Sequence, residues 1–352
     1  MSQSAVYEEH TVLELGARGK LRGAPFVLAG RTTVRSGGGG LWNEWTLTFD
    51  DGRQGFLSEA LGAFTLFFER PIAPRYESIR PGQQLDTGFV VVERGEAKRV
   101  ARWGDAPESP RIYRYTDLSS ASGETATIDY GSGERALEPD VFVGRRIRLA
   151  ELGLKPRRAP AKFLAAPGGP PPKGVELWLA PGDEGDLDTA NGRARFRVIG
   201  IIHRSIRVEG ERYTWEEYVL SSATEGLRWL VVADGHWNLV ESVEAGQVVE
   251  SGSDPQTAKL RDETFRFMSA GKACVEWATG ELPWEVEIGD VTDARDYLHT
   301  PNVLSRESTE DEITWSCGTY TPADTIARAF GKRVLPKPSG RAPNQPKTPK
   351  RR

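Results

Sequence analysis

Two short segments place an indole two residues before a carboxylate: Trp42-Asn43-Glu44 in "WNEWTL", and Trp215-Glu216-Glu217 in "YTWEEYVL". In a strand, side chains two apart share a face, so Trp42 stands beside Glu44 and Trp215 beside Glu217. A carboxylate next to an indole suits an organic cation, through charge and through attraction to the ring face. A structural role fits the same residues. A half-buried glutamate needs a donor or a cation, and Arg204 or Arg207 across the hairpin could pair with Glu217. Trp42, Glu44, Trp215 and Glu217 are therefore the candidate ligand-binding residues, with internal pairing as the alternative.

Other chemistry is sparse. The histidines His10, His203, His236 and His299 are scattered, and none has a second His or Cys at ligand spacing, whereas a metal site needs several convergent donors. Cys274 and Cys317 are too few for a disulfide framework. Cys317 sits in a strand pattern, "TWSCGTY", that favours packing over nucleophilic chemistry. There is no GxSxG and no phosphate-binding loop, and "SGGGG" at Ser36 lies in a hairpin turn. The expectation is a non-enzymatic protein without metal or cofactor. An enzyme would instead show a concave site with several titratable groups of shifted pKa.

The elements that position the Trp–Glu pairs have period two. In "RFRVIGIIHRSIRV", Phe196 and Val198 alternate with Arg195 and Arg197, as a half-buried strand does. Asp234-Gly235 in "RWLVVADGHWNLVE" is a strong hairpin signal, and "VEGER" supplies another turn. In "YTWEEYVL", Tyr218 and Leu220 fall on the face opposite Trp215 and Glu217 and read as core, as do Trp45 and Leu47 in the first segment. Helices are few: a short one over 145–153 and another over 322–331, each ended by glycine and each following one half of the chain. The fold class is mostly β, an antiparallel sandwich or small barrel in each half.

The halves are repeats. "WNEWTL" matches "WEEYVL" at an offset of 173, which continues without a gap through Phe56/Trp229, Leu57/Leu230 and Leu66/Leu239. Earlier matches run at 166 and 170. Later ones pair Gly95 with Gly280 at 185 and Thr127 with Thr314 at 187, a series that only grows. The copies span about Leu13 to Gly131 and Leu179 to Gly318, and internal duplication dictates the architecture. The domains are 1–154, a basic Pro/Gly-rich linker over 155–175, 176–330, and a tail over 331–352 too poor in apolar residues to fold.

Charge is unevenly spread over the 352 residues: the net −4 conceals eight Lys/Arg and no acid after Phe330, five Lys/Arg and no acid over 155–174, and −17 on the rest. An acidic body repels nucleic acid, so no specific nucleic-acid binding is expected. A basic tail could touch anionic lipid. No apolar run is long enough for a membrane helix, and no secretory signal stands at the N-terminus, so a cytoplasmic location is expected.

"YTWEEYVLSSATEGLRWLVVADGHW", "GELPW…GD", "LSRE…EITWSCGTY" and "APNQP" resemble the bacterial domain of unknown function 4178, and "GETATIDYG…FVG" resembles a degenerate version in the first copy. The resemblance brings no catalytic residues. It implies a context of membrane-stress and polyamine-linked genes, and hence a binding or scaffold protein with a protein partner. A receptor for cationic amines, built on the Trp–Glu face of each repeat, is the second reading.

Overall fold

The computed structural model describes residues 7–69, 76–106, 111–132, 139–157, 161–252, 254–333, 335 and 337–347. Eight strands close into the first barrel: β1 (Ala24–Ser36), β2 (Leu41–Phe49), β3 (Gln54–Ala60), β4 (Ala63–Glu69), β5 (Phe89–Gly104), β6 (Ile112–Ser120), β7 (Glu124–Asp129) and β8 (Asp140–Ile147). Eight more form the second: β9 (Gly192–Val208), β10 (Glu211–Ser222), β11 (Gly226–Ala233), β12 (His236–Val243), β13 (Glu263–Leu282), β14 (Val291–His299), β15 (Asn302–Ser308) and β16 (Ile313–Thr321). The order around the first is β1-β2-β3-β4-β8-β7-β6-β5, closed by β5 pairing with β1. The second repeats it, closed by β13 on β9. All ladders are antiparallel, so β4 and β5 run in the same direction and their connection must travel the length of the barrel. Closure removes the exposed sheet edges that invite aggregation, and an eight-stranded barrel leaves room for side chains or one small ligand.

Register fixes the equivalence of the copies. A bulge lies between Leu28 and Gly30 in β1 and between Val198 and Gly200 in β9, as the offset of 170 requires. Gly30 pairs with Gly104, and Gly200 with Gly280, so Gly280 corresponds to Gly104 and not to Gly95. Thr127 lies in β7, whereas Thr314 lies in β16, the counterpart of β8. The two late sequence matches are therefore out of register. Glycine-and-acid patterns recur at many turns, and only the ladder distinguishes them.

The predicted hairpin at Asp234-Gly235 forms with both residues at positive φ, the I′ geometry that follows strand twist. The predicted helix over 145–153 is mostly strand: β8 continues to Ile147, and only Leu149–Leu152 turns helically before Gly153. The second prediction holds as α1 (Ala323–Ala329). These elements pack on equivalent places, Leu149 and Leu152 outside β1–β4 and Ile326 outside β9–β12.

The larger apolar clusters lie on the outer faces of the barrels, under a covering of chain, and smaller ones fill part of each lumen, with Val34, Ala97 and Tyr113 in the first and Ile202, Val219 and Val275 in the second. Leu28, Trp45, Leu47, Leu57 and Leu66 are covered by Leu13 and the 149–154 segment. Val198, Tyr218, Leu220 and Leu230 are covered by Leu179, Leu187 and α1. Ile79 covers β5–β8, and Val248 and Ala258 cover β13–β16. Tyr218 and Leu220, read as core, are fully buried.

Glu59 pins the first covering segment. This buried carboxylate accepts hydrogen bonds from Thr11 Oγ1 (2.6 Å), the Val12 amide (2.8 Å), Asn43 Nδ2 (3.1 Å) and Trp45 Nε1 (3.0 Å). Removing an acceptor of several buried donors leaves each with its desolvation cost, about 1–3 kcal/mol apiece. Glu59→Ala is expected to destabilise the protein by about 3 kcal/mol, with amide exchange accelerating first at residues 11–13. Unchanged exchange there would contradict the pinning role.

The linker and the tail are docked where described. Leu164 and Ala165 pair with β13, and Trp277 Nε1 donates to the Gly169 carbonyl at 3.3 Å. The expectation of a disordered tail fails over its described residues: Asn344 is 2% exposed, and Ser339 donates its amide to the Asp234 carbonyl at 2.8 Å. A composition poor in apolar residues can still be held by hydrogen bonds to a preformed surface. Residues 348–352, which carry three of the tail's cations, lie outside the described residues.

The barrels touch directly. Glu93 in β5 bridges Glu312 through the backbone, Gly246 donates to Ser119 Oγ at 3.2 Å, and Arg146 pairs with Glu244 at 2.8 Å. No helix among the described residues is long and apolar enough to cross a membrane.

Candidate functional site

Strand alternation turns Trp42 and Glu44 into the first barrel and Trp215 and Glu217 into the second. Contacts across each barrel show this. Glu44 in β2 accepts from Tyr113 Oη in β6 at 3.1 Å and lies 3.9 Å from Arg99 Nε in β5. Arg99 also pairs with Asp129 in β7 at 2.9 Å. None of β5, β6 and β7 is a neighbour of β2 in the sheet, so these side chains meet in the lumen. In the second barrel Arg204 in β9 pairs with Glu217 at 3.3 Å and with Glu307 in β15 at 2.8 Å, and donates to Thr292 in β14 at 2.7 Å. The indoles complete both clusters: Trp42 Nε1 donates to Glu44 at 3.2 Å, and Trp215 Nε1 to Glu217 at 2.7 Å.

Internal pairing of Glu217 with Arg204, one of the two sequence alternatives, is thus present. Arg207 pairs across the ladder with Arg212 instead. The first barrel finds its cation elsewhere. Val34 and Arg99 face each other across β1 and β5, and the equivalent pair across β9 and β13 is Arg204 and Val275. Arginine and valine have exchanged strands between the copies, while the guanidinium stays between two lumenal carboxylates. Asp129 and Glu307 likewise occupy equivalent positions, opposite Asp140 and Thr314. The duplication has kept a charge cluster, not a residue-by-residue pattern.

A third carboxylate joins each cluster. Asp117 in β6 and Asp296 in β14 are equivalent through their pairing with Thr127 and Ser305. Both are held by hydroxyls, Asp296 accepting from Ser305 Oγ at 2.6 Å. Three carboxylates therefore surround the Arg99 guanidinium in one cluster and the Arg204 guanidinium in the other, and Asp140, Arg146 and Arg341 line the same space. Burial raises the Glu44 and Glu217 carboxyls against the pull of Arg99 and Arg204. Burial also lifts Asp117 to about 6 and raises Asp296. At the junction of the barrels, burial and then the charges of Glu312 and Asp117 push Glu93 up to about 8, and Tyr115 donates its hydroxyl to it.

Aromatic faces line the same space. Arg99 lies 3.8 Å from the Tyr113 ring centre and Arg204 5.7 Å from that of Trp215. The lumens open into a space of about 2060 Å³ lined by residues of both barrels. The histidines stay apart: His10 meets the Lys162 carbonyl, His203 meets Glu216, His236 meets Tyr320, and His299 meets the Thr264 carbonyl. Among the described residues no group of three or more His, Cys, Asp or Glu is arranged to hold a metal ion. Cys274 and Cys317 carry no disulfide, and burial pushes the Cys317 thiol up to about 11.

The family model of the domain of unknown function DUF4178 matches residues 14–149 and again 180–323, one match on each barrel. The chain belongs to the DUF4178 family. Both copies are complete barrels, so the DUF4178 unit here is one eight-stranded barrel with its covering segments. No curated protein matches the chain. A solved structure of a protein of unknown function from the DUF3598 family of Nostoc punctiforme PCC 73102 is similar at 9% identity, covering 92% of this chain and 100% of that one, with a TM-score of 0.16.

Proposed function

We propose that this DUF4178 protein is a non-enzymatic binding protein that takes a small organic cation, such as an aliphatic amine, into the lumen of each barrel. The observation that carries this reading is the excess of carboxylates in each lumenal cluster, three around the Arg99 or Arg204 guanidinium, beside Trp and Tyr faces in both copies. Such a lumen has charge left over for a guest cation, and the aromatic rings add attraction once water is displaced. The resident arginine fits the same reading, since each lumen already stabilises one cation against an aromatic ring.

Carboxyls raised by burial must ionise as a cation enters. Binding therefore releases protons and tightens as pH rises through the raised carboxyl pKa values. Calorimetry with spermidine in buffers of different ionisation enthalpy checks this, and Glu44→Gln and Glu217→Gln are each expected to weaken binding at least tenfold at one of two sites. Binding that ignores both substitutions would contradict the assignment.

The shifted carboxyls of Glu93 and Asp117 favour a second reading, acid–base catalysis on a bound guest, because catalytic groups cluster where pKa values are displaced. Mass spectrometry of the amine recovered after long incubation separates the two: an unaltered guest supports binding alone, and a new product supports catalysis.

A further inference from the structure

The C-terminal segment holds one of the most buried polar side chains of the molecule outside the strands. Asn344, 2% exposed, uses its Nδ2 twice, donating to Asn238 Oδ1 at 2.7 Å and to the Pro301 carbonyl at 2.9 Å. Asn238 belongs to β12 and lines the lumen of the second barrel, as do Ser339, Arg341, Ala342 and Pro343 of the segment itself. Two acceptors facing one nitrogen select a primary carboxamide, which has two hydrogens to give. A carboxylate in its place would set an anion against both oxygens, and alanine would leave both unmet. Two more contacts fix the approach. The Ser339 carbonyl lies 3.2 Å from His236 Nε2. Gly235 is so close to the segment that a Cβ there would come within 2.8 Å of the Lys337 carbonyl oxygen. Pro343 and Pro346 flank the asparagine–glutamine pair and limit the conformations it loses on docking. The first barrel has Thr65 where Asn238 stands, so this receptor belongs to the second copy alone.

We propose that the mouth of the second barrel is a receptor for a proline-flanked asparagine peptide, occupied in cis by residues 341–347 of the same chain. A tethered segment has an effective concentration on the order of millimolar, so the site is masked until its own asparagine is removed. The receptor rests on Asn238 and Pro301 and uses neither Trp215 nor Glu217, although the docked segment lines the same lumen.

The test uses the full chain and a fluorescent peptide spanning Arg341–Lys347. Full-length Asn344→Asp is expected to capture this peptide at least tenfold more tightly than wild type, by fluorescence anisotropy. Adding Asn238→Ala to that variant should abolish capture. Amide exchange over 341–345 should be slow in wild type and at least tenfold faster in either single variant, which reports undocking even if the added peptide binds poorly. Equal peptide uptake by wild type and Asn344→Asp, with exchange over 341–345 equally fast in both, would overturn the proposal. Concentration-dependent dimerisation of wild type, lost in Asn344→Asp, would overturn the cis assignment by placing the segment in a second copy.

Discussion

Arg204→Val is expected to destabilise the protein by about 3–5 kcal/mol, and adding Val275→Arg should recover most of that loss. The first part follows from burial. Arg204 is 8% exposed and holds Glu217 and Glu307, and removing one partner of a buried ion pair strands its charge. The pKa shifts agree in direction: burial opposes the Arg204 charge, yet Glu217 and Glu307 leave its guanidinium raised. The recovery follows from the first barrel, where valine sits on β1 and arginine opposite it on β5. The double variant gives the second barrel the first barrel's arrangement. Denaturant unfolding of the single and double variants measures the coupling. A double variant as unstable as Arg204→Val would mean that the exchange of strands is accidental.

The second large effect is on pH. A carboxyl raised on folding binds its proton in the native state over a range where the unfolded chain has lost it. Stability from such a group is fully present below the unfolded pKa and declines as pH rises through the folded one. For Glu93, raised from 4.5 to about 8, the decline spans roughly pH 4.5 to 8, and for Asp117, raised from 3.8 to about 6, it spans roughly pH 4 to 6. One pKa unit is about 1.4 kcal/mol, so Glu93 alone can account for up to about 5 kcal/mol. Glu93→Gln keeps the shape and removes the titration. It should unfold at higher denaturant than wild type at pH 8.5, with the difference vanishing near pH 4.5. The opposite order at pH 8.5 would show Glu93 to be paired with a cation that stabilises its charge.

Much of this was legible in the sequence. Period-two alternation and turn glycines carry the strand content, and the gapless offset of 173 carries the duplication through β2, β3 and β4. The same alternation places Trp and Glu on one face and Tyr218, Leu220, Trp45 and Leu47 on the other. What alternation leaves open is which face is the inside of a barrel. Apolar residues ordinarily mark the interior, but here covering segments bury most of them on the outside, and the lumen mixes Thr, Ser, Trp and carboxylates with small apolar clusters around Val34 and Val275. Asp117, Asp129, Asp296 and Glu307 were missed for a related reason. Their equivalence depends on ladder register in β6, β7, β14 and β15, where the copies share few residues. The one sequence signal was a lone acid at alternate positions of "YTDLSS" and "ARDYLH". The exchange of Arg99 and Arg204 could not be found by aligning the copies, since it pairs arginine with valine at both positions. Asn344 was hidden by composition, because a proline-rich basic tail gives no sign that one asparagine has a seat.

Calorimetric titration of spermidine into wild type, Glu44→Gln, Glu217→Gln and the double variant tests the lumenal sites most directly. Two binding events in wild type, one in each single variant and none in the double variant, with protons released on binding, are predicted. Heats that are the same in all four proteins would contradict the account and leave the Trp–Glu–Arg clusters as purely structural ties across each barrel.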